Sequence, residues 1–326
     1  MVVEEALKQI ETLLAQELTR FDAVYRAQLQ SGYSSIQSVL DHLTIERGKR
    51  IRPILFFLCQ GLVGRPSAET AHVAVMIEML HMASLIHDDV VDGSMQRRGR
   101  DTVNARWDNR ISILLGDWLM SRVLRLIPCG PEGTLNIFSD VVDQMAVCEL
   151  EQALSNPETE SPDEETYQRI IFGKTAALFS AVCRLAGLAA SSKEKTHSRL
   201  SRFGELFGMA FQIRDDVLDI IGDRHLLGKP VGQDSFNSRM NLPLILSWIR
   251  CSEEEKDWLR QCLEKASEKN RERISSFVHD KKGHLMAQKQ AGRYSDEASV
   301  ILSGFARSKY REAIENLLDW NLSRKQ

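Results

Sequence analysis

The chain has 326 residues, of which 43% are hydrophobic and 27% charged, so it is long enough to bury a sizeable core. Its formal net charge of −3 argues against a general nucleic-acid-binding surface and restricts any anion site to a local basic patch. The cysteines occur singly, without a C-x-x-C pair, so neither a zinc site nor a disulfide framework is predicted. The N-terminal segment is acidic where a signal peptide is basic, and the longest uncharged run near it, 53–64, is too short to span a bilayer. We therefore expect a cytoplasmic protein without a transmembrane segment.

Helical patterns follow one another along the whole chain, and no segment alternates with the period of a strand. Ser67, after the turn at Arg65-Pro66, is a suitable N-cap for the helix that carries the first aspartates. The segment 222–243 contains Gly and Pro without periodicity, which is typical of a functional loop. The predicted helices cover 2–30, 36–43, 71–91, 102–126, 134–154, 163–190, 193–221 and several pieces of 245–326. The predicted fold class is all-α.

Two of these helices end in aspartate clusters of the same D-D-x-x-D spacing. The clusters are Asp88, Asp89 and Asp92, and Asp215, Asp216 and Asp219. On a helix, His81, Ser84, Asp88 and Asp92 fall within a stripe roughly 80° wide. The same spacing places Gly208, Gln212, Asp215 and Asp219 on one stripe of the second helix. Polar stripes on apolar helices predict an internal cavity, and clusters facing each other across it predict one domain over 1–326.

Clusters of oxygen ligands suit Mg²⁺, which prefers to bridge one or two carboxylates to a phosphate. One cluster alone could equally be a solvated helix end, and any single basic residue near it is more often a surface charge. Two clusters with basic residues at nearby turns instead predict a site that holds a diphosphate through Mg²⁺ as a leaving group. A di-iron interpretation, based on the E-x-x-H spacing of Glu78 and His81, leaves both aspartate clusters unexplained.

Five segments in order resemble the motif set of the trans-isoprenyl diphosphate synthases, the polyprenyl synthetase family. They are GKRIRP (48–53), HDDVVD (87–92) with QRRGR (96–100), GKTAALF (173–179), FQIRDDVLD (211–219) and GKPVGQD (228–234). The resemblance implies an all-α bundle around a deep central cavity and, usually, a homodimer. It implies head-to-tail condensation of isopentenyl diphosphate onto an allylic diphosphate, with Mg²⁺ as the cofactor.

Residue by residue, the resemblance assigns Mg²⁺ to Asp88, Asp92 and Asp215, with Asp89, Asp216 and Asp219 completing the catalytic aspartates and Lys174 joining them. It assigns isopentenyl diphosphate to Lys49, Arg52, His81 and Arg98. It assigns the allylic diphosphate or its surroundings to Arg97, Lys174, Thr175, Gln212 and Lys229. The chain departs from the family over 234–243, where Arg239 stands in the place of a lysine, so Arg239 is predicted to contact the allylic diphosphate.

Ala83 and Ser84 lie about one turn before Asp88, where short-chain members of the family carry bulky aromatic residues. Because both residues are small, we predict a medium- or long-chain product of roughly twenty-five to fifty carbons, as used for quinone tails. Geranylgeranyl or farnesyl diphosphate synthase is the alternative. A class I terpene cyclase is disfavoured by the second motif and by Lys49 and Arg52. A non-catalytic synthase subunit is disfavoured because both aspartate motifs are present.

Overall fold

The computed structural model describes residues 2–44, 48–97, 99–154, 163–221, 241–264 and 267–324. They form an all-α fold, as predicted. The helices are Val2–Leu13, Ala15–Gln28, Ser34–Thr44, Ile51–Val63, Ala71–Val91, Val103–Arg106, Asn109–Leu126, Thr134–Leu154, Glu164–Ile171, Ala177–Ala189, Glu194–Ile221, Leu242–Trp248, Glu253–Glu264, Glu268–Asp280, Gly283–Ser303 and Lys309–Ser323. The predicted bounds of 71–91 and 134–154 agree with these helices.

The chain divides into two compact units. Unit 1 comprises Met1–Asp140, Phe179–Gly204 and Ile301–Leu317, and unit 2 comprises Val141–Leu178, Glu205–Val300 and Leu318–Gln326. The single domain expected over 1–326 stays a prediction.

The core of unit 1 is built on two apolar helices, Ile51–Val63 and Ala71–Val91. The first buries a continuous run from Pro53 to Gly61. Gly61 allows a close approach, because a Cβ at this position would collide with the ring of Tyr310. Ser67 accepts a hydrogen bond from the amide of Glu69, so it caps the 3-10 turn that leads into the second helix. This helix therefore has a fixed entry, and its far end carries the first aspartates.

The helix predicted over 102–126 is interrupted. Thr102 caps the short helix Val103–Arg106, and the Asp108 side chain accepts from the amide of Ile111 to start a new helix at Asn109.

The expectation that the chain has no strand is also wrong at one place. Gln96–Arg97 pairs antiparallel with Arg100–Asp101, and two-residue strands are too short to show an alternating pattern.

The predicted helix 163–190 contains a single π-helical turn, Phe172–Ala176, between Glu164–Ile171 and Ala177–Ala189. Such turns are frequent at functional sites. Gly173 lies in this turn against the thiol of Cys148, where a Cβ would not fit. The turn belongs to unit 2, and it carries the GKT segment.

Among the described residues of unit 2, apolar side chains form two clusters. One gathers side chains around Tyr167, Ile213 and Leu242, and the other gathers them around Ile220, Trp248 and Ile274. Among the described residues, the helical stretch Glu164–Ala189 is long and apolar enough to cross a membrane, but 72% of its most apolar 18-residue window is buried inside the protein. This burial is typical of a core helix.

Candidate active site

The first aspartate cluster ends the helix Ala71–Val91 in unit 1. Its members differ in exposure, because Asp88 and Asp92 are half-buried whereas Asp89 is only 6% exposed. The amide of Asp92 donates to the carbonyl of Asp88 over 2.8 Å, so these two residues lie one turn apart on the same side of the helix. His81 and Ser84, on the same predicted stripe, are half-buried as well. All four residues of the stripe are therefore partly accessible, on a helix whose first half is mostly buried.

The buried aspartate is neutralised by the arginine loop. Arg97 Nη2 lies 2.8 Å from Asp89 Oδ1, and Arg97 Nε donates to the same carboxylate. The short hairpin holds Arg97 in place, and Gly93 and Gly99 flank it with φ of 60° and 75°, a region that glycine adopts without strain. Because a buried carboxylate is costly without a cation, this pair explains why an arginine follows the motif so closely.

The basic residues of GKRIRP have separate surroundings. Arg50 precedes the helix with φ 51° and forms ion pairs with Glu11 at 3.1 Å and Asp22 at 3.0 Å, which tie the segment to the N-terminal helices. Arg52, in the first turn, places its guanidinium carbon 4.7 Å from the ring centroid of Phe179. Lys49 is exposed. The sequence alone did not separate Arg50, with a structural role, from its neighbours.

The two residues of the chain-length hypothesis differ in burial. Ala83 is completely buried, whereas Ser84 is half-buried and donates a hydrogen bond from its hydroxyl to the carbonyl of His81. Only Ser84 shares the accessible side of the helix with Asp88. A larger side chain at position 84 can therefore be accommodated more easily than one at Ala83, where no space is available.

The second aspartate cluster, in unit 2, contains a hydrogen-bonded network around Asp216. The Tyr167 hydroxyl donates to Asp216 Oδ2 over 2.6 Å, and Gln212 Nε2 donates to Oδ1 over 2.9 Å. The Thr175 hydroxyl in turn donates to Gln212 Oε1 over 2.8 Å. Burial first, and the neighbouring Asp216 second, raise the pKa of Tyr167, so its phenol remains a donor. The network joins the GKT segment to the second aspartate motif.

Asp215 has a different partner. Its Oδ1 lies 2.6 Å from Nη1 of Arg324, whose side chain is 6% exposed, while that of Asp215 is 42% exposed. Arg324 also donates to the carbonyl of Phe211 over 2.9 Å and stacks on the Phe211 ring at 4.1 Å. The carboxylate of Asp215 is therefore held on one side and remains accessible on another. Asp219, predicted on the same accessible stripe as Asp215, is instead buried, with 2% exposure.

Lys174 lies in the π-helical turn, where its ammonium group is 2.5 Å from Glu149 Oε1. Both side chains are about a quarter exposed. This pair leaves the ammonium accessible to an anion, in competition with the carboxylate. Three further predicted residues, Arg98, Lys229 and Arg239, lie outside the described residues.

Comparison with known proteins decides the family. A family model described as polyprenyl synthetase matches residues 33–280. The chain belongs to the polyprenyl synthetase family. This confirms the resemblance drawn from the motifs, and it disfavours the di-iron and terpene cyclase interpretations.

Individual members of the family match over most of the chain. An all-trans-nonaprenyl-diphosphate synthase (geranyl-diphosphate specific) of Rhodobacter capsulatus is 34% identical over 96% of this chain and 96% of its own. Heptaprenyl diphosphate synthase component 2 of Geobacillus stearothermophilus is 37% identical over 73% of this chain and 75% of its own. A crystal structure of a polyprenyl synthase from Caulobacter crescentus CB15, complexed with calcium and isoprenyl diphosphate, has a TM-score of 0.93. It is 28% identical and covers 98% of both chains. The likeness to this solved polyprenyl synthase therefore covers 98% of the chain.

The donor set present in this polyprenyl synthetase fits Mg²⁺. Asp88 and Asp92 offer carboxylates one turn apart on an accessible face, and Asp215 offers an accessible carboxylate in unit 2. Among the described residues, no group of three or more His, Cys, Asp or Glu side chains is placed to hold an ion by itself. Mg²⁺ rarely needs such a cage, since it keeps several waters and takes its remaining ligands from substrate phosphates.

Three functional candidates were missed from the sequence. Tyr167, Glu149 and Arg324 each contact a predicted site residue, yet none belongs to a motif. Tyr167 lies one helical turn or more before the GKT segment, and Glu149 lies in the preceding helix. Arg324 is 109 positions from Asp215 and carries no local signal. Only the folded chain brings these residues to their partners.

Proposed function

We propose that the chain condenses isopentenyl diphosphate head-to-tail onto an allylic diphosphate and so makes an all-trans polyprenyl diphosphate of medium or long chain. It is a trans-prenyltransferase of isoprenoid biosynthesis, and a quinone side chain is a suitable use of its product. The family match and the small, half-buried Ser84 support this product class.

The observation that carries the proposal is the unequal exposure within each aspartate cluster. Asp89 and Asp216, the second aspartates, are buried and held by protein groups. Asp88, Asp92 and Asp215 keep accessible carboxylates, and these three are the proposed Mg²⁺ ligands. When bound, Mg²⁺ would neutralise the diphosphate that leaves the allylic substrate. The protein contributes by orienting the Asp215 carboxylate with Arg324 and by keeping the neighbouring aspartates satisfied.

The remaining residues have proposed binding roles. Lys49, Arg52, His81 and Arg98 bind isopentenyl diphosphate, and an arginine is suited to this because its planar fork matches two phosphate oxygens. Arg97, Lys174, Lys229 and Arg239 serve the allylic diphosphate. Thr175 and Gln212 act indirectly, since their hydrogen bonds end on the carboxylate of Asp216.

We propose a homodimer in the cytoplasm. The helix Asn109–Leu126 supports this proposal, because Ile113, Leu114 and Leu124 are 46%, 54% and 61% exposed. They lie within one sector of the helix, roughly 100° wide. Light scattering on the purified chain should give twice the monomer mass. Leu114→Glu should lower the measured mass toward that of the monomer. A monomeric wild-type chain would contradict the proposal.

Product sizing tests the function. The purified chain is incubated with radiolabelled isopentenyl diphosphate, Mg²⁺ and allylic primers of increasing length, and the product is expected to be a medium- or long-chain polyprenyl diphosphate. Asp88→Asn and Asp215→Asn should reduce turnover by orders of magnitude, whereas Asp257→Asn, an exposed aspartate in an ion pair with Arg260, should not. A cyclic hydrocarbon from the primer alone would identify a cyclase, and no product from the chain alone would identify a subunit of a heteromeric synthase.

A further inference from the structure

We propose that Phe179 is a positioning residue for Arg52, and that its ring fixes the guanidinium in the orientation that receives isopentenyl diphosphate. The inference deepens the proposed function, because it rests on the role proposed there for Arg52. Both residues belong to unit 1, although they come from two segments that the sequence does not connect, GKRIRP and GKTAALF.

The contact is a cation–π interaction between the guanidinium and the ring. The guanidinium carbon of Arg52 lies 4.7 Å from the ring centroid of Phe179. Arginine side chains have several rotatable bonds, so holding one in a single orientation costs conformational entropy. A ring that attracts the cation reduces the number of orientations available before the substrate arrives, which lowers the cost of binding.

A cation–π contact differs from an ion pair in how many N–H donors of the arginine it occupies. A carboxylate engages the N–H donors of an arginine, as Glu11 and Asp22 do with Arg50 in the same segment. An aromatic ring attracts the cation as a whole and offers no lone-pair acceptor to its N–H donors. An arginine that must donate in bidentate fashion to a diphosphate is therefore better positioned by a ring than by a carboxylate.

The ring of Phe179 is suited to this role because it cannot move easily. Phe179 is completely buried. A Cβ at Gly204 would collide with the carbonyl of Phe179, so the backbone of the helix Glu194–Ile221 approaches it as closely as glycine allows. The helices that carry Arg52 and Phe179, Ile51–Val63 and Ala177–Ala189, also meet at a second contact, where Cys59 Sγ lies 3.7 Å from Cys183 Sγ. Cys59 is seven residues after Arg52, and Cys183 is four residues after Phe179. Residues at these spacings share a helix face, so the two contacts together define the register of the helices.

A double-mutant cycle on KM and kcat tests the inference. Phe179→Leu removes the ring and retains an apolar side chain, and Arg52→Gln removes the cation. We expect Phe179→Leu to raise KM for isopentenyl diphosphate about fivefold, which corresponds to roughly 1 kcal/mol. The kcat value and the KM for the allylic substrate should change less than twofold. In the Arg52→Gln background, Phe179→Leu should have no further effect on KM, since the group it positions is gone.

The matched control is Phe21→Leu, at another buried phenylalanine of unit 1 that stacks on Tyr25. It should lower stability to a similar extent and leave KM unchanged. Isothermal titration of isopentenyl diphosphate without the allylic substrate gives a second reading of the same affinity. If Phe179→Leu does not fold, Phe179→Met, whose flexible side chain adapts to an irregular space, replaces it.

The two proposals fail in different ways. Unchanged KM in Arg52→Gln would overturn the proposed role of Arg52 itself. A raised KM in Arg52→Gln, together with unchanged KM in Phe179→Leu or with additive effects of the two substitutions, would overturn the positioning role and leave the proposed function in place.

Discussion

Replacing Tyr167 with phenylalanine tests whether the second aspartate cluster depends on a network that the protein itself supplies. The substitution deletes one hydroxyl, which donates to Asp216 Oδ2 over 2.6 Å. Tyr167 and Asp216 are 6% and 8% exposed, so water cannot readily replace the lost donor. The amide of Leu242 remains near the same oxygen, but at 3.4 Å it makes a weak hydrogen bond.

The expected loss follows from the charge of the acceptor. A buried hydrogen bond to a charged group contributes about 1.5–3 kcal/mol, so we expect Tyr167→Phe to lower the free energy of unfolding by about 2 kcal/mol. For a cooperative chain of this length that corresponds to a fall in Tm of roughly 3 °C. Tyr25→Phe is the matched control, because the Tyr25 hydroxyl donates over 3.2 Å to the sulfur of Met82, a weak acceptor. Its loss should be below about 1 kcal/mol.

Urea unfolding monitored by circular dichroism measures both losses without substrate or Mg²⁺. The cycle with Asp216→Asn isolates the pair, and its coupling energy should be positive and larger than about 1 kcal/mol. Equal losses in Tyr167→Phe and Tyr25→Phe, or additive effects of Tyr167→Phe and Asp216→Asn, would refute the proposal that the phenol stabilises the buried carboxylate.

Three further outcomes are expected. Ser84→Phe should shorten the product, as measured by chromatography. Ala83→Phe should mainly lower Tm, because the side chain of Ala83 is completely buried. Identical products from Ser84→Phe and wild type would contradict the chain-length hypothesis. Glu149→Gln should tighten binding of inorganic pyrophosphate several-fold in calorimetry, because the carboxylate no longer competes for Lys174, and weaker binding would contradict this. Burial, and then His279, lower the pKa of His284, so the unfolded chain binds more protons below about pH 6.5 and stability should fall as the pH falls through that range. His284→Gln should reduce the dependence of stability on pH in this range. An unchanged dependence would contradict the role given to His284.

Much of the fold could be predicted because long helices repeat one pattern many times. The bounds of Ala71–Val91 and Thr134–Leu154 follow from periodicity and from turn residues at their ends. The break before Asn109 was missed because Asp108, an ordinary N-cap, stands inside a continuing apolar pattern. The π-helical turn at Phe172–Ala176 was missed because its residues also suit an α-helix, and its close packing at Gly173 depends on a partner in another helix.

The site was predictable where the chemistry is local and not where it depends on distant residues. The carboxylates and most basic residues lie in short motifs, so their spacing is visible in the chain. Arg324 reaches Asp215 only because the helix Lys309–Ser323 ends beside it within unit 2. Arg50 and Arg52 look equivalent in the sequence. Their roles separate because the helix begins between them, at Ile51, and directs their side chains to different neighbours.

The different surroundings of the first two aspartates in each cluster follow from helix geometry combined with the cost of burying charge. Residues that are adjacent on a helix point about 100° apart. If the first aspartate faces an accessible side, the second must turn toward the interior, where its charge requires partners. In unit 1 that partner is Arg97, and in unit 2 the partners are Tyr167 and Gln212. The second aspartate therefore anchors the helix end that presents the first.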